Sequence, residues 1–338
     1  MSKQMISKTN IVVTCWNAFP YTKVTLERLF ATVHNDYCLT IIDNASSDET
    51  PEYLKDLRPP SNCKKLTLIT NEQNEGNVGA VNQGYEVSKQ LGATYTCLCN
   101  NDLYFQDGWF KRLEETMDKN SKLGMLGPLR PAISVKHYNG KPTSVVLKST
   151  PEEYDLREEL KFFMGEPIEQ FDAAAEKIIA VNGRGLAILP VPPEALSSCC
   201  VFVRNVAAED VGYMADPQFS PYGSDDIDLT WAIAQAGYQC AMLKDTYVHH
   251  FRSKSIKANG ANQNKLLFDN NQKFFRKWKS VIHDFLLSEQ TKGVNLAEML
   301  SEEKDNDYWF LFRLNGNIGF WDGQNLIGFE DKDAIPKQ

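Results

Sequence analysis

"CLTIIDNASSDET", residues 38–50, decides the reading of the fold. An apolar run rich in β-branched residues stops at Asp43, and small polar residues follow. Ser47 or Asp48 then opens a helix, "SDETPEYLKDL" (47–57), because their side-chain oxygens can accept from the free amides of a first helical turn. A continuous apolar run, in place of strict alternation, is the mark of a strand covered on both faces, as in a parallel sheet.

Working outward, the same unit recurs. "NIVVTCW" (10–16) reads as a buried strand, and "PYTKVTLERLFATVH" (20–34) as a helix with Leu26, Leu29, Phe30 and Val33 on one face. "KLTLIT" (65–70) is a third strand, "GAVNQGYEVSKQLG" (79–92) a helix stopping at Gly92, and "TYTCLCNND" (94–102) a fourth strand. Strands alternating with helices imply an α/β fold with a doubly wound, mainly parallel sheet, which binds ligands at the carboxyl ends of its strands. Residues 131–197 are irregular and richer in Pro, Gly and charge, and read as a partly helical insertion that includes "EEYDLREELKFF" (152–163). Strand character returns at "SCCVFVR" (198–204). The expected division is 1–130 for the first half of the sheet, 131–197 for the insertion, 198–258 for the second half, and 259–338 for a C-terminal helix with a β-hairpin-like tail. Asn-Gly and Asp-Gly pairs near the end supply the hairpin signal.

The chain has 338 residues, 42% hydrophobic and 24% charged, with a net charge of −8. The acidic balance argues against nucleic acid as a partner, since sequence-independent binding needs a basic footprint. No signal-peptide pattern and no apolar run of about 18 residues is visible, so a cytoplasmic location is expected. The eight cysteines lack the CxxC spacing of zinc sites and read as small buried hydrophobes.

"PYGSDDIDLTW" (221–231) crowds Asp225, Asp226 and Asp228 at the start of a helix. Ser224 as N-cap and acidic residues in the first turn would explain this as helix stabilisation, worth roughly 0.3–1 kcal/mol each. The alternative is that one carboxylate is a base. Asp43 and Asp102 both end apolar strands, and carboxylates there suit a divalent cation that keeps open positions for phosphate oxygens. "NEGNVGAVNQG" (74–84) fits neither GxGxxG nor the lysine-bearing phosphate loop, yet backbone amides at a Gly-containing helix start can still hold a nucleotide.

Together these stretches resemble family 2 glycosyltransferases of the GT-A fold, in particular soluble bacterial members of the rhamnosyl and O-antigen type. The likeness runs over roughly residues 10–280 and is weakest in the insertion. "IVVTCWN" resembles the family's opening strand and turn, "IIDNASSDET" its "VDNxSxDGT", "NEGNVGAVNQG" its "NxGxAGAxNxG" and "LCNNDLYF" its "LNNDV" form of the DxD motif. "SPYGSDDIDLTWAIAQAGY" follows "EDxDLxxRxxxAGY", "HFRSKS" follows "HFGSxT", and "NNQKFFRKW" the terminal "NxxxFxxKW".

The resemblance implies a metal-dependent inverting transfer of sugar from a nucleoside-diphosphate sugar to an acceptor hydroxyl, in polysaccharide biosynthesis. Asp226 would be the base, with Asp225 beside it. Thr14, Cys15, Asn17, Asp43, Asn44, Gly76, Asn77, Gly79, Asn82, Asn100 and Asn101 would form the nucleotide-sugar site, with Asp43 on the base. Asp102 would bind Mn²⁺ or Mg²⁺ with a histidine, His250 by alignment and His249 as the alternative. Asp228 would cap the helix or hydrogen-bond locally. The sequence departs from the family pattern at Asn100, Asp225, Ala232 and Arg252, the last a cation near a phosphate or acceptor. Trp16, Trp109 and Trp231 are stacking candidates, with core packing the commoner fate. The acceptor implied is a glycan or lipid-linked sugar, with peripheral membrane contact and a homodimer left open. A nucleotide-sugar-binding module without turnover, or a transferase acting on protein or nucleic acid, is the competing reading.

Overall fold

The computed structural model describes residues 6–131, 156–251, 254–259, 263–296, 319–321 and 325–328. In chain order the strands are β1 (Thr9–Cys15), β2 (Tyr37–Asp43), β3 (Cys63–Thr70), β4 (Tyr95–Asn100), β5 (Leu103–Phe105), β6 (Leu123–Leu129), β7 (Leu186–Ile188), β8 (Cys200–Arg204) and β9 (Gln239–His250). Between them lie helices α1 (Phe19–Thr32), α2 (Thr50–Lys55), α3 (Gly76–Leu91), α4 (Trp109–Lys119), α5 (Leu156–Met164), α6 (Phe171–Asn182), α7 (Asn205–Val211) and α8 (Asp225–Gln235). Helices α9 (Lys254–Ala258) and α10 (Gln263–Thr291) follow, and β10 (Gly319–Trp321) pairs antiparallel with β11 (Leu326–Gly328), the expected hairpin element.

The sheet runs β3-β2-β1-β4-β8-β6-β9-β5, with β7 also on β9. Strands β3, β2, β1 and β4 are parallel, β8 runs antiparallel between β4 and β6, and β6 and β9 are parallel again. Every residue of β2 is buried, which explains its unbroken apolar run. Alternation sorts the strands into two cores. Ile11, Val13, Ile41 and Cys97 face the side packed by α1 and α4, while Val12, Ile42, Leu98 and Val201 face the side packed by α3, α8 and α10. Helix α3 approaches β1 so closely that a Cβ on Gly84 would lie 2.2 Å from Val12 Cγ1. All cysteines but Cys63 are buried, as expected.

The insertion is fastened to the sheet. Phe163, Phe171, Ile178 and Ile179 join Leu129, Tyr247 and Phe251 in a third apolar cluster. Arg28 of α1 meets Asp172 of α6 through two contacts of 2.7 and 2.8 Å, and Gln106 donates to Glu176. The first residues of the helix expected at 152–163 lie outside the described residues.

Two local expectations are corrected. Asp48 precedes α2 but serves two elements, accepting from Thr50 N (3.0 Å) and from Phe19 N (2.8 Å) at the start of α1. Ser224 does stand at the N-cap of α8, yet its backbone is left-handed and its hydroxyl accepts from no amide of that helix; it donates instead to Asn271 Oδ1 (2.8 Å) of α10.

Asp228 is also not a local cap. It is fully buried and accepts from Trp278 Nε1 (2.7 Å), Lys277 Nζ (2.9 Å) and Tyr213 OH (2.8 Å), so it bolts α10 to α8. Burial pushes its carboxyl up from the ordinary range even against the opposing lysine. Such a pair is an address for packing more than a source of stability, and cutting one side leaves a buried charge alone. Lys277→Met is therefore expected to cost about 3–5 kcal/mol in urea unfolding. The cost should be smaller at pH 5 than at pH 8, because a carboxyl whose folded pKa is raised is stabilised by protonation as pH falls.

Candidate active site

The carboxyl ends of β1, β2 and β4 bring Cys15, Asp43 and Asn100 to one rim, since Cys15 pairs with Asp43 and Thr14 with both Ile42 and Asn100. The N-terminus of antiparallel β8 faces the same way, so Cys199 lies beside Asn100, whose N–H donates to Cys199 O (2.8 Å). The four non-glycine residues with left-handed backbone among the described residues are Asn17, Ala18, Ala45 and Ser224, all in turns at this rim. Each holds a conformation that costs an L-residue roughly 1–2 kcal/mol, the kind of strain that tends to gather at functional sites.

Asp43 is 1% exposed; its Oδ1 accepts from Ser46 N (3.1 Å), while the buried Oδ2 has no partner among the described residues. Asn44 arranges the neighbouring loop, donating to Asn74 Oδ1 (2.7 Å) and Gly76 O (3.1 Å) and accepting from Glu75 N and Asn71 Nδ2. Gly76 has φ +75°, and a Cβ there would lie 2.5 Å from Pro221 O. That contact is where the loop at residues 74–77 rests on the segment leading into α8. Asn77 completes it, with Nδ2 3.2 Å from Asp225 Oδ2.

Several predicted residues turn out to be committed to the protein. Asn17 Oδ1 accepts from Ser47 N and Asp48 N, and its Nδ2 donates to Asn259. Asn101 donates to Asn17 O (3.1 Å) and Thr22 Oγ1 (2.8 Å). Asn82 clasps Ala215 through both its backbone N–H and C=O, and Gly79 packs its backbone on Glu75. Trp109 stacks on Phe105 and Trp231 packs against Phe274 and Trp278; both are core, and Trp16 alone stays near the rim.

The three acidic residues of α8 separate by environment. Asp228 is fully buried in the α10 contact, and Asp225 is 5% exposed and accepts from Gly223 N (3.0 Å) as well as Asn77. Asp226 is only half-buried, with Oδ1 accepting from Ile227 N. Burial, and then the charge of Asp226, raise the Asp225 carboxyl well above its ordinary range.

Asp102 and His250 meet because β5 pairs with β9 and sets Leu103 opposite His250. His250 Nε2 lies 3.0 Å from Asp102 Oδ1, an oxygen that makes no hydrogen bond among the described residues, and 3.3 Å from Asn100 Nδ2. Cys199 packs at the same ring; burial opposes charge on the imidazole, but Asp102 first and Cys199 after it raise His250 to about 9, and against burial His250 lowers the Cys199 thiol to about 7. His249, one residue away on the strand, is turned into the aromatic cluster of Phe163, Tyr247 and Phe251, with Nδ1 3.1 Å from Tyr247 OH. Asp102 and His250 thus form the pair, and His249 is not brought to it. Among the described residues no three His, Cys, Asp or Glu side chains gather closely enough to enclose a metal. A pair of hard and borderline donors, a buried carboxylate with an imidazole 3.0 Å from it, still fits Mn²⁺ or Mg²⁺, which leave positions for water and phosphate oxygens. Arg252 lies outside the described residues.

Sequence reasoning did not single out Asn71, Asn74, Pro221, Cys199 or Asn259, which shape the site. Their effect depends on partners distant in the chain, and no local pattern signals it.

This architecture and rim are those of a GT-A type α/β enzyme. Residues 10–175 match the family model described as Glycosyl transferase family 2, which supports a glycosyltransferase. Among solved structures, TarS of S. aureus is 13% identical with a TM-score of 0.50, covering 79% of this chain and 38% of TarS. GalNAc-T7 with UDP, GalNAc and Mn²⁺ is 13% identical with a TM-score of 0.49, covering 72% of this chain and 43% of that one. The mannosyltransferase PcManGT from Pyrobaculum calidifontis, in complex with GDP-Man and Mn²⁺, is 13% identical with a TM-score of 0.48, covering 72% and 56%. At such identity the TarS likeness bears on fold alone, and the chain spans well under two thirds of the length of these three. No curated protein matches it.

Two outcomes are expected from the rim. Gly76→Ala should lower the melting temperature by several degrees, because the new methyl must displace the Pro221 segment and Gly76 holds a left-handed backbone that alanine rarely adopts. Asp225→Asn should raise the melting temperature at pH 8 and much less at pH 5. The wild-type carboxyl has a raised folded pKa, so it binds its proton more tightly in the folded chain than in the unfolded one. Its ionisation therefore costs the fold stability as pH climbs from about 4, a cost that the uncharged amide does not carry.

Proposed function

We propose that this chain is a metal-dependent, inverting glycosyltransferase that moves a sugar from a nucleoside-diphosphate sugar to an acceptor hydroxyl. The observation that carries the reading is the difference in burial within α8: of three clustered carboxylates, Asp225 and Asp228 are buried, and Asp226 is the half-buried one that solvent and an acceptor can reach. Asp226 takes the proton of the acceptor hydroxyl, whose oxygen attacks the anomeric carbon from the face opposite the leaving diphosphate. Buried Asp225, tied to Asn77, holds the first turn of α8 against the donor side. The free Oδ2 of Asp43 accepts a nucleobase N–H, and Asn44 keeps the loop at residues 74–77 in place beneath the nucleotide. Asp102 and His250 hold the Mn²⁺ or Mg²⁺, which when bound offsets the charge that gathers on the leaving diphosphate.

The finer reading is a rhamnosyl- or O-antigen-type transfer to a glycan or lipid-linked acceptor in polysaccharide biosynthesis at the cytoplasmic side of a membrane. Among the described residues no helix is long and apolar enough to cross one.

The test is a nucleotide-sugar screen with Mn²⁺, Mg²⁺ or EDTA on wild type and Asp226→Asn. Metal-dependent release of one nucleoside diphosphate by wild type is expected, falling about 10²–10⁴-fold in the variant with donor affinity retained. Unchanged turnover in Asp226→Asn would remove the base from this position. Nucleotide binding with no turnover on any donor or acceptor would favour a binding module.

A further inference from the structure

The insertion carries a buried carboxylate that the reaction scheme leaves unused. Glu159 of α5 is 2% exposed, and its Oε2 accepts from Tyr21 OH of α1 (2.9 Å) and from Lys254 Nζ at the start of α9 (2.7 Å). Lys254 also lies over the Tyr21 ring, 5.0 Å from its centroid. A buried carboxylate between a phenol and an ammonium is well satisfied, and its charge fixes where the lysine must sit.

What Lys254 begins reaches the donor rim within five residues. Ser255 Oγ donates to Asn101 Oδ1 (3.1 Å), and Asn259 bonds both the Asn17 side chain and Trp16 O. Asn259 is itself braced by donating to Ser255 O. The turn after β1 and the turn after β4, two parts of the nucleotide-sugar rim, are thus gripped by one short segment. That segment is pinned at its other end by a residue of the insertion. A five-residue helix has little stability of its own, so its position depends on such outside contacts.

We propose that Glu159 is a positioning residue of the donor site. Through Lys254 it sets the segment Lys254–Asn259 so that Ser255 and Asn259 hold Asn101 and Asn17 in register, making donor affinity depend on the insertion. Removing the Glu159 carboxylate frees Lys254, the segment loosens, and the strained turn at Asn17 and Ala18 loses one of its supports. The proposal rests on the glycosyltransferase reading for its ligand, whereas the coupling from α5 to the rim is a property of the fold.

The experiment combines amide hydrogen exchange over residues 254–259 with calorimetry of UDP, GDP and TDP in the presence of Mn²⁺, on the full chain. Variants are Glu159→Gln, Glu159→Ala and the charge swap Glu159→Lys with Lys254→Glu; Glu169→Gln, an exposed carboxylate of the same insertion, is the control. Expected is faster exchange at 254–259 in Glu159→Ala, with the central strands still protected, and a three- to tenfold weaker affinity for whichever nucleotide wild type binds. Glu159→Gln, which keeps the shape, should fall between, and the swap should recover part of the affinity. Unchanged exchange at 254–259 in a folded Glu159→Ala would overturn the coupling. Loosened exchange with unchanged nucleotide affinity would overturn the donor-site role. If wild type binds none of the three nucleotides, the functional reading fails, while the exchange result still decides the coupling.

Discussion

Strand β1 has water on neither face, and most of the molecule follows from that. Ile11 and Val13 need one layer of helices and Val12 another, so the chain must cross the sheet plane after nearly every strand. Parallel strands covered on both sides leave only their ends for chemistry. The turn after β1 therefore stands beside the ends of β2 and β4 in one rim. Its strained residues, Asn17 and Ala18, are supported from two distant parts of the chain, by Ser46 and Ser47 of the turn after β2 and by Asn259.

The acidic cluster shows how environment divides chemically identical groups. Asp225, Asp226 and Asp228 share one turn of helix, and charge alone does not tell them apart. Rotation of about 100° per residue aims them at different surroundings. Asp228 enters the α8–α10 contact, Asp225 meets the glycine-led loop, and Asp226 keeps access to solvent. Burial raises the carboxyl of both Asp225 and Asp228, but Asp228 has a lysine, a tyrosine and an indole around it while Asp225 has amides.

The parallel half of the fold was legible in the sequence because each of its strands is a short apolar run closed by polar residues. Asp43, Asp102 and the acidic turn stood out for the same reason, as charges ending apolar runs. Less legible was everything set by distant partners. His249 and His250 are neighbours of equal chemistry, and only the pairing of β5 with β9 sends one to Asp102 and the other among aromatic rings. Ser224 has the residue type of a cap, yet Asn271, 47 positions on, takes its hydroxyl. Asn17, Asn82 and Asn101 carry the amides expected of ligand contacts, and the protein uses those amides to hold its own turns. The insertion gave no motif at all, because Arg28–Asp172 and Tyr21–Glu159 join residues more than a hundred positions apart.

The contact between α8 and α10 bears on how the protein is made. Phe274, Phe275, Trp278, Ile282 and Leu286 complete the core whose sheet side includes Val12 and Leu98. Synthesis proceeds from the N-terminus at about 5–20 residues per second, so that apolar face stays uncovered until well over two hundred and seventy residues have left the ribosome. Asp228 waits for its lysine and indole over the same interval. The nascent chain thus carries an open hydrophobic surface and an unpaired buried-to-be charge until α10 has been made. Protein yield in a heterologous host should therefore track chaperone supply more closely than it tracks the stability of the finished fold.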